Sequence, residues 1–247
     1  MRLCAALIVA WSLFAATSAH AVDCRTVEHD RNTYFVCTVD TRTQDLRLFL
    51  NGPDGTPHSH FNTLERTLAG QGQRLAFAMN AGMYHSDRSP VGYYVEDGQE
   101  QMRVITSSGP GNFGLLPNGV LCIGQGRADV IETESFVARG PACRHATQSG
   151  PMLVIDGALH PRFLPDSTSR YIRNGVGTAA DGRTAHFVIS ESAVTFHEFG
   201  RLFRDGLGTP NALYFDGNIS RLHAPGFGRS DPGFRMGPIV GVVEPAD

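Results

Sequence analysis

The sequence of 247 residues carries 21 basic against 24 acidic residues, a formal charge of −3, with 41% apolar residues, 28 glycines and 14 prolines. These proportions exclude a disordered, collagen-like or coiled-coil chain, and the slight negative charge gives no general attraction to polyanions, so no nucleic-acid surface is expected. All 21 basic residues are arginine, which excludes Schiff-base chemistry and a phosphate-loop lysine and leaves guanidinium or backbone amides for any anion site.

Met1-Arg2, an apolar run from Leu3 to about Ala16 and the small-residue pattern Ala19-x-Ala21 read as a secretory signal peptide over residues 1–21, its apolar part too short to span a membrane comfortably. No later stretch is long and apolar enough for a span, so a soluble periplasmic or secreted protein is expected. Removal of the leader takes with it Cys4 and the only tryptophan, Trp11. Cys24, Cys37, Cys122 and Cys143 remain, an even number that favours two disulfides over catalysis in an oxidising compartment. Of the three possible pairings, spacing favours Cys24 with Cys37 and Cys122 with Cys143. No C-x-x-C or close histidine spacing supports a zinc site, and no metal or cofactor is expected.

Residues 22–247 show no repeat and no dividing linker, which reads as one domain. Leu46–Leu50, Leu75–Met79, Val91–Val95 and Met102–Thr106 are strand-like. Before Leu75, Phe61, Leu64 and Leu68 share a helical face that ends near Gly70. Asn118-Gly119 reads as a hairpin turn within Leu115–Leu121, and Asp156-Gly157 and Asp181-Gly182 repeat the device. Tyr171–Val176 and His186–Ser190 follow as strands. Thr195 and Glu198 form a capping box for a helix whose buried stripe is Phe199, Leu202, Phe203 and Leu207, closed by Gly208. Asn211–Phe215 is the next strand. Hairpins beside few helices indicate an α/β (mixed α+β) fold, a single layered domain with a largely antiparallel sheet.

Polar residues among glycines at strand ends are the raw material of a site, because a rigid sheet positions them and glycine admits a ligand. Four places qualify: Asn80-Ala81-Gly82-Met83-Tyr84, Gln148-Ser149-Gly150-Pro151, Arg173-Asn174-Gly175-Val176-Gly177 and Asp216-Gly217-Asn218-Ile219-Ser220. Asp216 ends an apolar strand, as a catalytic carboxylate would, or else caps its own turn. Glu191 is the neighbouring second carboxylate, with a solvent-facing role as its alternative. Arg173 needs an anion, either a carboxylate such as Asp216 or a ligand phosphate. The stretch Ser107–Gly114 lacks the ending of a phosphate loop, Ser149 completes no G-x-S-x-G elbow, and the histidines show no metal spacing.

Taken together and in this order, these segments resemble the phosphodiester glycosidase family. The resemblance covers roughly residues 73–244 and includes Pro90-Val91-Gly92, Gly111-Asn112-Phe113 and Gln148-Ser149-Gly150-Pro151. It implies release of a sugar from a glycosyl phosphodiester, leaving a phosphomonoester. On that basis Arg173 would hold the phosphate, Asp216 or Glu191 would act as nucleophile or base, and Asn80, Gln148 and Ser149 would orient hydroxyls. Gly82, Tyr84, Gly150, Asn174, Gly217 and Ser220 would complete the binding site. Asn218 stands where the family has the second glycine of Asp-Gly-Gly-x-Ser, so the family's sugar specificity is not carried over. A non-catalytic periplasmic binding protein for an anionic glycan, and hydrolysis of another glycan linkage, are the competing readings.

Overall fold

The computed structural model describes residues 22–246, so the leader read over residues 1–21 lies outside the described residues. Asp30 (φ 49°) and Arg31 (φ 63°) turn the chain between β1 (Asp23–His29) and β2 (Asn32–Asp40), since two successive positive φ values match the twist of a tight hairpin. After β3 (Asp45–Phe49), α1 (Phe61–Ala69) buries Phe61, Leu64 and Leu68 as their spacing predicts, and β4 (Gln73–Asn80) follows. Asp97 (φ 48°) and Gly98 (φ 76°) join β5 (Tyr94–Glu96) to β6 (Gln99–Met102). Next come β7 (Gly119–Gly124), β8 (Arg127–Glu132), α2 (Thr133–Arg139) and β9 (His145–Ser149). The Asp156-Gly157 turn then closes β10 (Met152–Ile155) on β11 (Ala158–Leu159), with φ of 47° and 83°.

β12 (Asn174–Thr178) and β13 (Thr184–Ser190) are joined through the Asp181-Gly182 turn, where Ala179 N donates to Thr184 O at 2.9 Å. At α3 (Phe196–Arg201) the capping box forms: Glu198 N donates to Thr195 Oγ1 at 3.1 Å and Thr195 N to Glu198 Oε2 at 2.9 Å. The helix runs on as a π-turn, Leu202–Gly206, before β14 (Asn211–Asp216), β15 (Leu222–Ala224), β16 (Arg229–Ser230) and β17 (Ile239–Pro245).

These strands form three sheets, ordered β1-β2-β13-β12-β14-β10-β11, β16-β15-β4-β17-β3 and β6-β5-β9-β7-β8. Every strand pairing among the described residues is antiparallel. The main core lies where the sheets meet, with Phe187 and Phe215 from the first, Phe77 and Val240 from the second, and Leu121 and Ile123 from the third. Each outer face carries one helix: α3 on the first sheet, α1 on the second and α2 on the third. A sheet with one apolar face inward and a helix on the other buries both sides, which gives the layered α+β architecture expected from the sequence.

β14 passes through the centre of this arrangement. Leu213 and Phe215 face the shared core, and Ala212 and Tyr214 face α3, so the strand's period of two brings Asp216 out on the face of Tyr214. Its register against β12 steps from Asn174↔Asp216 to Gly175↔Tyr214, which makes Phe215 the extra residue of a β-bulge.

Several local expectations are corrected. The strand expected at Val91–Val95 begins only at Tyr94, and the one expected at Met102–Thr106 ends at Met102. The strand expected over Tyr171–Val176 starts at Asn174, leaving Arg173 just outside it. Asn118-Gly119 is no hairpin: Asn118 is buried, its Nδ2 donating to Phe113 O at 3.0 Å and its Oδ1 accepting from Thr133 Oγ1 at 2.6 Å. Gly119 is there for packing, since a Cβ would stand 2.3 Å from Met152 Sδ.

Disulfides join Cys24 to Cys37, directly opposite each other on β1 and β2, and Cys122 on β7 to Cys143. Each crosslink is worth about 2–4 kcal/mol. Alkylation without reduction, followed by mass spectrometry, is expected to leave these four cysteines unlabelled; labelling of two or more in protein from its native compartment would contradict the pairing.

Candidate active site

A cleft of about 590 Å³ opens beside the end of β14, walled by Tyr84, Asn112, Tyr171, Arg173, Phe196, Tyr214, Asp216 and Gly217 among others. The antiparallel order explains the meeting: the start of β12 pairs with the end of β14, and a hydrogen-bonded asparagine pair links the start of β12 to the end of β4.

Arg173 is 1% exposed. Its Nε donates to Val194 O at 2.8 Å and one terminal nitrogen donates to Ser169 O at 3.0 Å. Its Cζ stands 3.7 Å from the Phe196 ring centre, with the Tyr171 and Tyr214 rings at 5.3 and 5.5 Å. No carboxylate pairs with it among the described residues, so of the two expected alternatives the ion pair with Asp216 does not form. Burial holds its pKa below the ordinary arginine value. Aromatic faces and two carbonyls compensate a dry guanidinium only in part, and an anion in the cleft would complete it.

Asp216 supplies the cleft's carboxylate. Its Oδ1 accepts from Gly217 N at 2.6 Å and Asn218 N at 2.8 Å, so the turn-capping alternative is realised while the residue still lines the cleft. Burial raises its pKa, and the amides of Asn218, Gly217 and Ile219 oppose that rise.

Beneath Asp216 lies a buried polar network. Asn174 Nδ2 donates to Asn80 Oδ1 at 2.8 Å, Asn174 Oδ1 accepts from Asp216 N at 3.1 Å, and Asn80 Oδ1 accepts from Arg221 N at 2.9 Å. Asn80 and Asn174 therefore fix the backbone from which Asp216 projects and do not line the cleft. At about 1–3 kcal/mol for each buried group left unsatisfied, Asn174→Ala should cost roughly 2–4 kcal/mol and lower Tm by roughly 5–15 °C. Calorimetry reads this directly, and unchanged melting would refute the network's role.

Of the other expected site residues, Tyr84 and Gly217 line the cleft, and the rest stand behind it or away from it. Gln148 Oε1 accepts from Tyr93 N and Ile105 N, both at 3.0 Å, and its Nε2 donates to Ile105 O at 2.6 Å, fastening the loop after β6. It does not reach the cleft, contrary to its expected place orienting substrate hydroxyls beside Arg173 and Asp216. Ser149 Oγ donates to Phe215 O at 3.0 Å, and Ser220 Oγ to Asp216 O at 2.9 Å. Gly82 sits at φ 126°, open to glycine but strained for other residues, and a Cβ on Gly150 would meet Asn118 Cβ at 2.7 Å. Glu191 is half-exposed and paired with Arg229, whose Nε also donates to Asp231 at 3.1 Å. It is not part of the cleft wall.

Sequence reasoning passes over Asn112, Tyr171, Phe196 and Tyr214 as wall residues. Tyr214 carries one usable signal, standing two positions before Asp216 on a strand and hence on its face. Among the described residues, no group of three or more His, Cys, Asp or Glu gathers to hold a metal, and no helix is long and apolar enough to cross a membrane.

Comparison with known proteins gives a consistent neighbourhood. Residues 73–224 match the phosphodiester glycosidase family. The chain is 32% identical over 189 residues to the uncharacterized protein YigE of Escherichia coli (strain K12), covering 76% of this chain and 73% of that one. In fold it is similar to the catalytic domain of zebrafish N-acetylglucosamine-1-phosphodiester alpha-N-acetylglucosaminidase, auto-inhibited by its pro-peptide (TM-score 0.58, 12% identity, 90% of this chain and 81% of that one). A hypothetical protein from Synechocystis matches as well (TM-score 0.58, 15% identity, 90% of this chain), and of that protein's length the match spans 61%. A putative exported protein from Burkholderia pseudomallei K96243 has a TM-score of 0.54 at 12% identity, over 85% of this chain and 74% of that one.

Proposed function

The chain belongs to the phosphodiester glycosidase family, and on that premise we propose that it hydrolyses a glycosyl phosphodiester or a related envelope glycan, releasing a sugar and leaving a phosphomonoester. The observation that carries the proposal is the pairing of functions in the cleft: a buried guanidinium with no acidic partner among the described residues, and a carboxylate held separately beside it. Most glycosidases need two carboxylates because an alkoxide leaves poorly without a proton. A phosphomonoester is already a good leaving group. One cation to take up its charge and one carboxylate at the sugar then suffice.

In this reading Arg173 binds the diester phosphate and orients it. Water adds at the anomeric carbon and passes a proton to the Asp216 carboxylate and from there to solvent, the bond from that carbon to the phosphate oxygen breaks, and the electron pair leaves with the phosphate. Asp216 serves the sugar side as base or nucleophile, stabilising the oxocarbenium-like transition state. Asn80, Asn174 and Ser220 hold the Asp216 backbone, and Tyr84 and Tyr171 offer ring faces to the sugar or aglycone. The two disulfides support residence in an oxidising compartment, the periplasm or the medium.

The test is a product assay on a panel of glycosyl phosphodiesters and neutral alkyl glycosides. Free sugar and phosphomonoester in equal amounts are expected from the diesters, with little release from the neutral glycosides. Binding of anionic glycans without any product would favour a non-catalytic binding protein instead.

A further inference from the structure

We infer that Tyr214 is a further substrate-contacting residue, its phenol hydroxyl donating to the same phosphate that Arg173 holds. The inference rests on the phosphodiester reading of the cleft, but its starting observation is independent of it. Tyr214 is wholly buried, yet its Oη has no hydrogen-bond partner among the described residues, and the side chain forms part of the cleft wall. Buried hydroxyls normally find a partner, so an unmatched one on a side chain of the cleft wall marks a place for a ligand atom.

The surroundings hold the hydroxyl in place without satisfying it. Phe196 packs edge-on against the ring at 4.8 Å between centroids, and the Arg173 Cζ lies 5.5 Å from the ring centre. The Arg173 guanidinium and the Asn112 side chain both come up beside the oxygen, but neither makes a well-formed bond to it. Gly217 makes the room, because a Cβ there would stand only 2.1 Å from Oη. The glycine after Asp216 thus lets the hydroxyl approach the Asp216 turn.

Burial and the Asp216 carboxylate keep the phenol well above its ordinary pKa, so at working pH the group can only donate or accept as a neutral hydroxyl. Beside a guanidinium that has no acidic partner among the described residues, it adds direction to a grip whose charge Arg173 supplies. As the bond to the anomeric carbon breaks, charge grows on the departing phosphate and the contact strengthens. The gain is therefore expected in kcat more than in KM. No proton moves to or from this hydroxyl: Tyr214 keeps its hydrogen and the phosphomonoester leaves as an anion.

Tyr214→Phe removes one oxygen and keeps the ring on Phe196. Since that oxygen makes no well-formed hydrogen bond among the described residues, Tm should hold or rise, while kcat/KM on a diester falls on the order of 10²-fold, chiefly through kcat. The parent protein is assayed beside it, and the affinity of both for inorganic phosphate is measured by calorimetry. Equal turnover by the two proteins would overturn the assignment, as would a loss of activity accompanied by a drop of several degrees in Tm. If the parent cleaves no diester, the phosphodiester reading falls by itself and phosphate affinity decides the role of the hydroxyl. Weaker binding by the Phe variant then supports it, and equal binding, or none by either protein, overturns it.

Discussion

Asp216→Asn is expected to lower kcat/KM on a glycosyl phosphodiester by about 10²–10⁴-fold, the usual worth of a positioned acid–base or nucleophilic group, while making the folded protein more stable at neutral pH. Asparagine keeps an oxygen for the amides of Gly217 and Asn218, which bond the carboxylate at 2.6 and 2.8 Å, so the turn survives. What disappears is a charge that burial disfavours. A carboxyl whose folded pKa lies above its unfolded value binds its proton more readily in the native state, so stability falls as pH rises through that interval. The neutral side chain escapes this loss. Its advantage should be full at pH 7 and should vanish below the ordinary carboxylate range. Glu96, held at about 6 by burial, and His145, held at about 4, titrate in both proteins and cancel from the comparison. Melting curves from pH 3 to 8, taken with diester kinetics, test both halves. Retained turnover would remove Asp216 from the mechanism.

Arg173→Lys should cost on the order of 2–4 kcal/mol in transition-state binding of a diester, roughly 30- to 1000-fold in kcat/KM, with a far smaller effect on any neutral glycoside the enzyme accepts. Lysine keeps the charge but loses the planar fork that both reaches a phosphate and lies flat on Phe196. The arginine also holds the Ser169 and Val194 carbonyls, so some loss of Tm accompanies the substitution. Melting alone therefore does not separate the roles. The ratio of losses on charged and neutral substrates does, and equal losses on both would assign Arg173 to structure alone.

Features governed by near neighbours along the chain are legible in the sequence itself. The Thr195–Glu198 box, the Phe61–Leu64–Leu68 face and the Asp156-Gly157 turn each depend on contacts within a few residues, and each forms. Asn118-Gly119 has the local chemistry of a turn, but Thr133, on a later helix, takes the asparagine side chain. The short helix α2 escapes a sequence reading because its N-cap is Glu132, outside the usual small polar set, although Gly140 in the left-handed region marks its end.

The site follows the same division. Arg173 and Asp216 are legible as charges beside glycines at strand ends, and both line the cleft. Gln148 bears the same local mark, yet its strand belongs to a different sheet and its amide points to Ile105. Glu191 meets Arg229, a partner that no nearby spacing announces. Tyr214 is hidden by its setting, because an aromatic residue within an apolar run reads as core until its hydroxyl is found without a well-formed bond among the described residues.

The bulge at Phe215 fixes how many residues this part of the chain can contain. Deleting Phe215 would restore a plain ladder against β12 and send either the tyrosine or the carboxylate through the sheet into the shared core. Residues 106–109 face the opposite constraint: they are exposed and outside the cleft wall, while Gln148 fastens Ile105 before them and Asn118 fastens Phe113 after them. Insertions and deletions among relatives of this chain are therefore expected to gather in that tip, leaving the spacing from β14 into the Asp216 turn invariant.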